Sequence, residues 1–117
     1  MAEQFERELK GFLKNLIKVF PGDREMKMLS STLNIALMDD YENKVLIGFY
    51  EFLNPFDAYI QDRDEKFFYE CNTPVQELQL FNKLNTYWER LDDDNKKVVW
   101  DYLQVLYYLS RNFCVKA

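Results

Sequence analysis

The sequence predicts an all-α fold: a single compact domain of five to six helices around a central apolar C-terminal helix. Three observations predict it. The stretch Val98–Leu109, VVWDYLQVLYYL, is apolar or aromatic at ten of twelve positions, interrupted only by Asp101 and Gln104. A helix that is apolar nearly all round is buried or covered by a partner, so the domain is expected to be centred here. Glycine and proline number only three each, too few for a turn-rich all-β fold. Elsewhere the apolar residues recur at steps of three and four, the period of an amphipathic helix. A length of 117 residues is that of one domain, and 48% hydrophobic residues are enough to bury a core without disulfides.

Each element has its own signal. Phe5, Leu9, Phe12, Leu13, Leu16, Ile17 and Phe20 form the apolar stripe of a first helix, with Lys10, Lys14 and Lys18 four apart on another face. Glu6 stands four residues before Lys10, the favourable order for an ion pair along a helix. Pro21-Gly22 stops this helix, and Asp23 is placed to cap the next, whose stripe is Met26, Leu29, Leu33 and Leu37. Asp39-Asp40 ends that segment or starts the following turn. Val45, Leu46, Phe49, Tyr50 and Leu53 give a third stripe, closed by Asn54-Pro55, where Asn54 is expected to cap a further helix with Pro55 at its first position. The segment Phe56–Glu70 is expected to be short helical pieces, with Asp64 capping a turn that holds Phe67 and Phe68. Thr73-Pro74 then restarts a helix through Leu91, with Thr73 as its cap and Glu77 near its positive end. Asp93 or Asp94 is expected to cap the final helix, Lys96–Phe113. Val98–Leu109 is expected to pack between the first helix and Pro74–Leu91.

Composition excludes several classes of function. An aromatic content of 17% excludes a disordered chain. Apolar runs fall well short of the ~20 residues that span a bilayer, and the early glutamates Glu3, Glu6 and Glu8 are unlike a signal peptide. Cys71 and Cys114 are therefore expected as free thiols in a reducing cytoplasm. The net charge of −5 is uneven: +1 over residues 1–38, −7 over 39–77 and +1 over 78–117. Such a field disfavours nucleic acid and fits either a basic partner or a merely solvated acidic face. Only Lys10, Lys14 and Lys18 argue for nucleic acid.

Catalytic chemistry is hard to assemble from this chain. It has no histidine, which removes the commonest general base and the commonest neutral metal ligand. Gly11, Gly22 and Gly48 are isolated and form no phosphate-binding loop. Asp62, Asp64 and Glu65, or Asp92, Asp93 and Asp94, could hold Mg²⁺ or Ca²⁺, but neither group has the spacing of a calcium-binding loop. Acids before a helix more often cap it, and the same holds for Asp39-Asp40. No metal site and no cofactor is expected. Cys71 precedes a helix start, where a thiol pKa is lowered, so it is the better candidate for a reactive cysteine, with an ordinary free thiol as the alternative.

The aromatics are the most suggestive feature. Ten Phe, eight Tyr and two Trp exceed what a core of this size needs. On the last helix Tyr102, Leu103, Leu106, Tyr107, Ser110 and Phe113 share a broad face, and Trp100, Tyr108 and Leu109 point elsewhere. Trp100 is turned ~160° from Tyr102, at ~100° per residue, and so lies beneath another helix or open to a partner. Trp100, Tyr108 and Tyr59 are the candidate interface, because Tyr and Trp suit surfaces that are half apolar and half polar. A two-sided core helix is the alternative.

Three segments, FLKNLIKVFPGD (12–23), IGFYEFLNPFDAYIQDRDEKFF (47–68) and NKKVVWDYLQVLYYLS (95–110), together resemble a small helical protein family of large nucleocytoplasmic DNA viruses of algae and amoebae. The resemblance covers roughly 100 residues in order. It implies a virus-encoded protein of the host cytoplasm or the virion, and it carries no catalytic residues. The function expected is non-enzymatic protein–protein interaction or assembly through an aromatic-rich helical surface, with a protein partner or a homo-oligomer and no nucleic acid, membrane or small-molecule substrate. Two alternatives stand beside it: a viral mimic of a helical host regulator of the cell-death-inhibitor type, and a carboxylate-metal hydrolase using Asp62, Asp64 and Glu65 with Asp92–Asp94.

Overall fold

In the computed structural model, residues 2–38 and 43–116 are described, and among them the chain runs from helix to helix with no strand. The first helix, α1 (Ala2–Val19), buries Phe5, Leu9, Phe12, Leu13 and Leu16 along the expected stripe. Pro21-Gly22 ends it. The second, α2 (Arg24–Met38), starts where Asp23 Oδ1 accepts the Met26 N–H at 3.0 Å, the capping bond that sequence predicts. Met26, Leu33 and Leu37 face inward. The turn at Asp39-Asp40 lies outside the described residues.

The third helix, α3 (Lys44–Leu53), does not stop at Asn54-Pro55. Residues 54–56 tighten into a 3₁₀ turn and lead straight into α4 (Asp57–Asp62). Asn54 is therefore helical and not a cap: its N–H still donates to Tyr50 O, and its side-chain Oδ1 accepts from the Tyr107 hydroxyl at 3.2 Å. Pro55 lacks an N–H, and a single missing donor is absorbed by a 3₁₀ turn without breaking the run.

At the end of α4, Arg63 adopts a left-handed conformation (φ 51°) that L-residues other than Gly and Asn rarely take. Its guanidinium holds it there. It donates to Asp101 Oδ1 at 2.6 Å and to Gln104 Oε1 at 2.8 Å, while Gln104 Nε2 donates to Ile60 O at 3.0 Å. Asp64 then caps α5 (Lys66–Glu70) through the Lys66 N–H, so Phe67 and Phe68 lie on a helix, as expected.

The helix after Pro74 is shorter than its apolar period suggests. The core helix α6 (Gln79–Tyr87) is flanked by 3₁₀ turns at 76–78 and 88–90. Thr73 Oγ1 accepts the Val75 N–H, a turn contact and not a helix cap. The Asn82 side chain clamps the Thr73 backbone, its Oδ1 accepting the N–H and its Nδ2 donating to the carbonyl, both at 2.8 Å. That clamp keeps 71–75 out of the helix. The last helix, α7 (Asp93–Lys116), begins three residues before the expected Lys96, and its cap is Asp92 in place of Asp93 or Asp94, because Asp92 Oδ1 accepts the Asn95 N–H at 2.8 Å.

Counted as continuous runs among the described residues, this is six helical stretches, within the expected five to six, and α7 is the central one. It packs chiefly on α1 and α3, whereas α6 packs on α2 and α5. The second main neighbour of α7 is thus α3, and the expected Pro74–Leu91 segment meets α7 through Trp88 at its last turn, against Trp100. Both candidates carry apolar stripes, but the unbroken 44–62 run also contributes Tyr107's hydrogen-bond acceptors, and Arg63 just after it clasps Asp101 and Gln104 of α7. The Cα radius of gyration, 13.3 Å, is that of one compact domain of this length. No helix among the described residues is long and apolar enough to cross a membrane.

Candidate functional site

The aromatic surplus goes inward. Trp100 is 5% exposed and meets Phe68 edge-on at 4.8 Å and Trp88 edge-on at 5.9 Å between ring centroids. Phe68 and Trp88 are themselves stacked at 3.7 Å. Trp100 is therefore core and leaves the candidate interface. The ~160° turn from Tyr102 holds, but Tyr102 sits at the rim of the inner face, half-buried and stacked on Phe12 at 5.2 Å, and not at its centre. The centre is Val99, Leu103, Leu106 and Ser110, with Trp100 and Tyr107 on one flank.

Tyr108 is exposed and touches the ring of Tyr107; Tyr59 is half-buried and stacked on Phe56 at 6.3 Å. Among the described residues no ring contact joins either to Trp100, so the three expected interface residues do not form one patch.

Several candidate ligand carboxylates have other partners. Asp64 and Asp92 cap helices. Glu65 accepts from Trp88 Nε1 at 3.2 Å and from Lys96 Nζ at 3.3 Å. Among the described residues no group of three metal-binding side chains converges. Cys71 is fully buried, its Sγ donates to Phe81 O at 3.3 Å, and burial pushes its thiol up to about 12. That overturns Cys71 as a reactive cysteine: no helix begins at residue 72 to stabilise a thiolate, and desolvation dominates. Cys114 is half-buried, and desolvation with nearby Glu51 raises its pKa as well. Both thiols are free.

What remains unfilled is the outer side of α2. Met28, Ile35 and Met38 are 68%, 63% and 81% exposed. Two grooves flank this ridge. One, of about 330 Å³, lies against α3 and the 76–78 turn and is lined by Ala36, Val45, Gly48, Val75 and Leu78. The other, of about 530 Å³, lies against α6 and is lined by Met28, Leu29, Thr32, Gln79, Asn82 and Thr86. An exposed apolar ridge beside one mainly apolar concavity and one walled largely by polar side chains has the anatomy of a protein-binding surface.

The ridge is held rigidly at its N-terminal end. Lys83 of α6 reaches Asp23 Oδ2 and Glu25 Oε2, each at 3.1 Å, and the Tyr87 hydroxyl donates to the same Asp23 oxygen. The Tyr87 hydrogen bond, chiefly, lowers the Asp23 pKa to about 2 against the opposing effect of burial, with Met26 N–H and Lys83 adding to it. Burial works against the Lys83 charge, but its bonds to Glu25 and Asp23 outweigh that and raise its pKa.

The sequence carried a signal for this ridge. Apolar residues on α2 occupy two stripes, Met26–Leu33–Leu37 and Met28–Ile35–Met38, and a helix needs only one to join a core. The pairing of Asp23 with Lys83 and Tyr87, more than sixty positions apart at its widest, has no local signal.

No protein-family model, curated protein or solved structure matches the chain.

Proposed function

We propose that this chain is a non-enzymatic protein–protein interaction or assembly module, and that the outer face of α2 with its two flanking grooves is the surface through which it works. The observation that carries this reading is the contrast between a fully occupied aromatic core and three large aliphatic side chains left in solvent on one helix. Keeping such side chains exposed promotes non-specific association, so a chain that retains them in one stripe gains from covering them. Three of the carboxylates that a metal hydrolase would use, Asp64, Glu65 and Asp92, are engaged in capping and ion pairing, which favours the binding reading over the catalytic one. The viral resemblance adds a setting, the cytoplasm of an infected host cell or the virion.

The test is affinity capture with two variants beside the wild type. Met28→Glu with Ile35→Glu alters the α2 face, and Val105→Ala with Tyr108→Ala alters the exposed side of α7. Infected algal or amoebal cells are the first source of partners. The expected result is a protein retained by the wild type and the α7 variant and lost by the α2 variant. Loss with the α7 variant alone would move the site to Tyr108.

A further inference from the structure

The fold sorts the sulfur atoms of this chain by access. Among the described residues five side chains carry one: Met26, Met28, Met38, Cys71 and Cys114. Met26 points inward from α2 and is fully buried. Cys71 is fully buried too, and with its pKa pushed up to about 12 it is a protonated thiol at neutral pH. Cys114 is half-buried, and desolvation, with Glu51 adding to it, raises its pKa as well. The thiolate, not the thiol, attacks a peroxide, so both cysteines are poor targets. Met28 and Met38, by contrast, stand 68% and 81% exposed on the outer face of α2. A thioether has no proton to lose, so access decides whether it reacts.

Those two residues are also two of the three that make the ridge apolar. The methionine sulfur takes one oxygen of a hydroperoxide: an S–O bond forms as the O–O bond breaks, and sulfur is oxidised by two electrons. The other oxygen accepts the proton and leaves as water or an alcohol. The product is a sulfoxide, a polar group in place of a flexible apolar one. Of the ridge only Ile35, which has no sulfur, would stay apolar. At Met26 the same product would be a polar group in the core, where it costs stability unless it finds a hydrogen bond. One helix therefore carries a methionine whose oxidation threatens the fold and two whose oxidation alters only the surface.

We propose that Met28 and Met38 are modification sites: a peroxide converts them to sulfoxides while the fold stays intact, and the outer face of α2 passes from apolar to polar. The change is reversible. A sulfoxide reductase returns the thioether as two thiols are oxidised to a disulfide and the oxygen leaves as water. The two sites stand on access and sulfur chemistry alone, and their bearing on partner binding rests on the α2 face being the working surface. On that reading peroxide releases the partner and reduction restores it.

The experiment treats the folded full chain with hydrogen peroxide at neutral pH and follows each sulfur by tandem mass spectrometry. Met28 and Met38 are expected to oxidise at least about tenfold faster than Met26, which is reached only when the fold opens. As they do so, retention on a hydrophobic-interaction column should fall while circular dichroism stays unchanged. Methionine sulfoxide reductases for both epimers, with dithiothreitol, should restore the retention. Met28→Leu with Met38→Leu should be retained like the untreated wild type and keep that retention in peroxide. Oxidation of Met26, Cys71 or Cys114 as fast as that of Met28 and Met38 overturns the assignment. Unchanged retention once both sulfoxides have formed, an equal loss in the leucine variant, or a collapse of circular dichroism as they form overturns the change of face. None of these measurements needs a partner. Where capture yields one, its release by peroxide from the wild type but not from the leucine variant supports the regulatory role, and its persistence on the oxidised chain overturns that role alone. Capture that is indifferent to Met28→Glu with Ile35→Glu overturns the α2 reading and leaves the two modification sites standing.

Discussion

Two helices of this domain are rich in apolar residues on more than one face, and they have opposite fates. On α7 the second face is covered: Trp100 and Tyr107 lie against the aromatic group of α5 and the 88–90 turn and against the 44–62 run. On α2 the second face is bare. The difference lies in what the neighbours offer. Next to α7 stand large rings, Phe67, Phe68 and Trp88, each of which reaches far from its backbone and closes the space between short helices. Next to α2 stand the polar side chains Gln79, Asn82 and Thr86, which are spent on local hydrogen bonds and do not reach over Met28 or Ile35. An apolar second face is a core signal where aromatic neighbours exist to cover it and an interface signal where they do not.

The largest expected effect tests the covered side of this contrast. Phe68→Ala or Trp88→Ala removes one half of a stacked pair inside the core and should destabilise the domain by about 3–5 kcal/mol; Leu103→Ala and Leu106→Ala should each cost about 2–5 kcal/mol. Ile35→Ala, on the bare side, should change monomer stability by no more than about 0.5 kcal/mol. Urea titration at low protein concentration measures all five variants. A loss above about 1 kcal/mol for Ile35→Ala would mean that α2's outer face is packed within the monomer, and the contrast would collapse.

The next effect concerns how α2 is fastened. Asp23 caps it and binds Lys83 and Tyr87, and its pKa is lowered to about 2 in the folded chain. A carboxylate whose folded pKa is depressed adds stability above its unfolded value near 3.9, and loses it as pH falls towards the folded value. The shift corresponds to at most about 2 kcal/mol. Asp23→Asn should therefore be less stable than the wild type at pH 7, and the gap should shrink between about pH 4 and pH 2. A gap that is constant over that window would show that the Asp23 charge contributes nothing and that only the capping geometry matters.

Much of the fold was legible because helix boundaries are written locally. Pro21-Gly22, Asp23 and Asp64 do what their residue types dictate, and the centres of the stripes of α1 and α3 turn inward as their periods require, as do Met26, Leu33 and Leu37 of α2, whereas Leu29 lines the groove beside Met28. The boundaries that moved did so for tertiary reasons. Asn54 is drawn into a helix by the continuity of 44–62, and Thr73 is held out of one by Asn82, nine residues away. Asp92 rather than Asp93 or Asp94 caps α7, a choice among adjacent acids that local sequence leaves open. The candidate site was less legible. An angular argument along α7 placed Trp100 correctly relative to Tyr102, but it had no means of knowing that Phe67 and Phe68, on a five-residue helix, would arrive above it. Met28, Ile35 and Met38 passed unnoticed because a second apolar stripe reads the same whether a neighbour covers it or not.

The smallest effect compares the two sides at matched positions. Gly11 and Gly48 both lie inside helices, where glycine costs roughly 0.5–1 kcal/mol relative to alanine. Their surroundings differ as the two faces do. A methyl group at Gly11 would come within 3.3 Å of the Tyr102 hydroxyl and 3.5 Å of its ring, on the side packed by α7. Tyr102 is stacked on Phe12 and would have to give by a few tenths of an ångström to accept it. A methyl group at Gly48 meets nothing within 4 Å, because it enters the groove beside α2. Gly48→Ala should therefore keep the full gain in helix propensity, raising stability by about 0.5–1 kcal/mol, while Gly11→Ala gains less or loses. Urea midpoints of the two variants decide it. If Gly11→Ala were as stabilising as Gly48→Ala, the packing of α1 on α7 would be as loose as the α2 groove, and the two faces would not differ as closed and open.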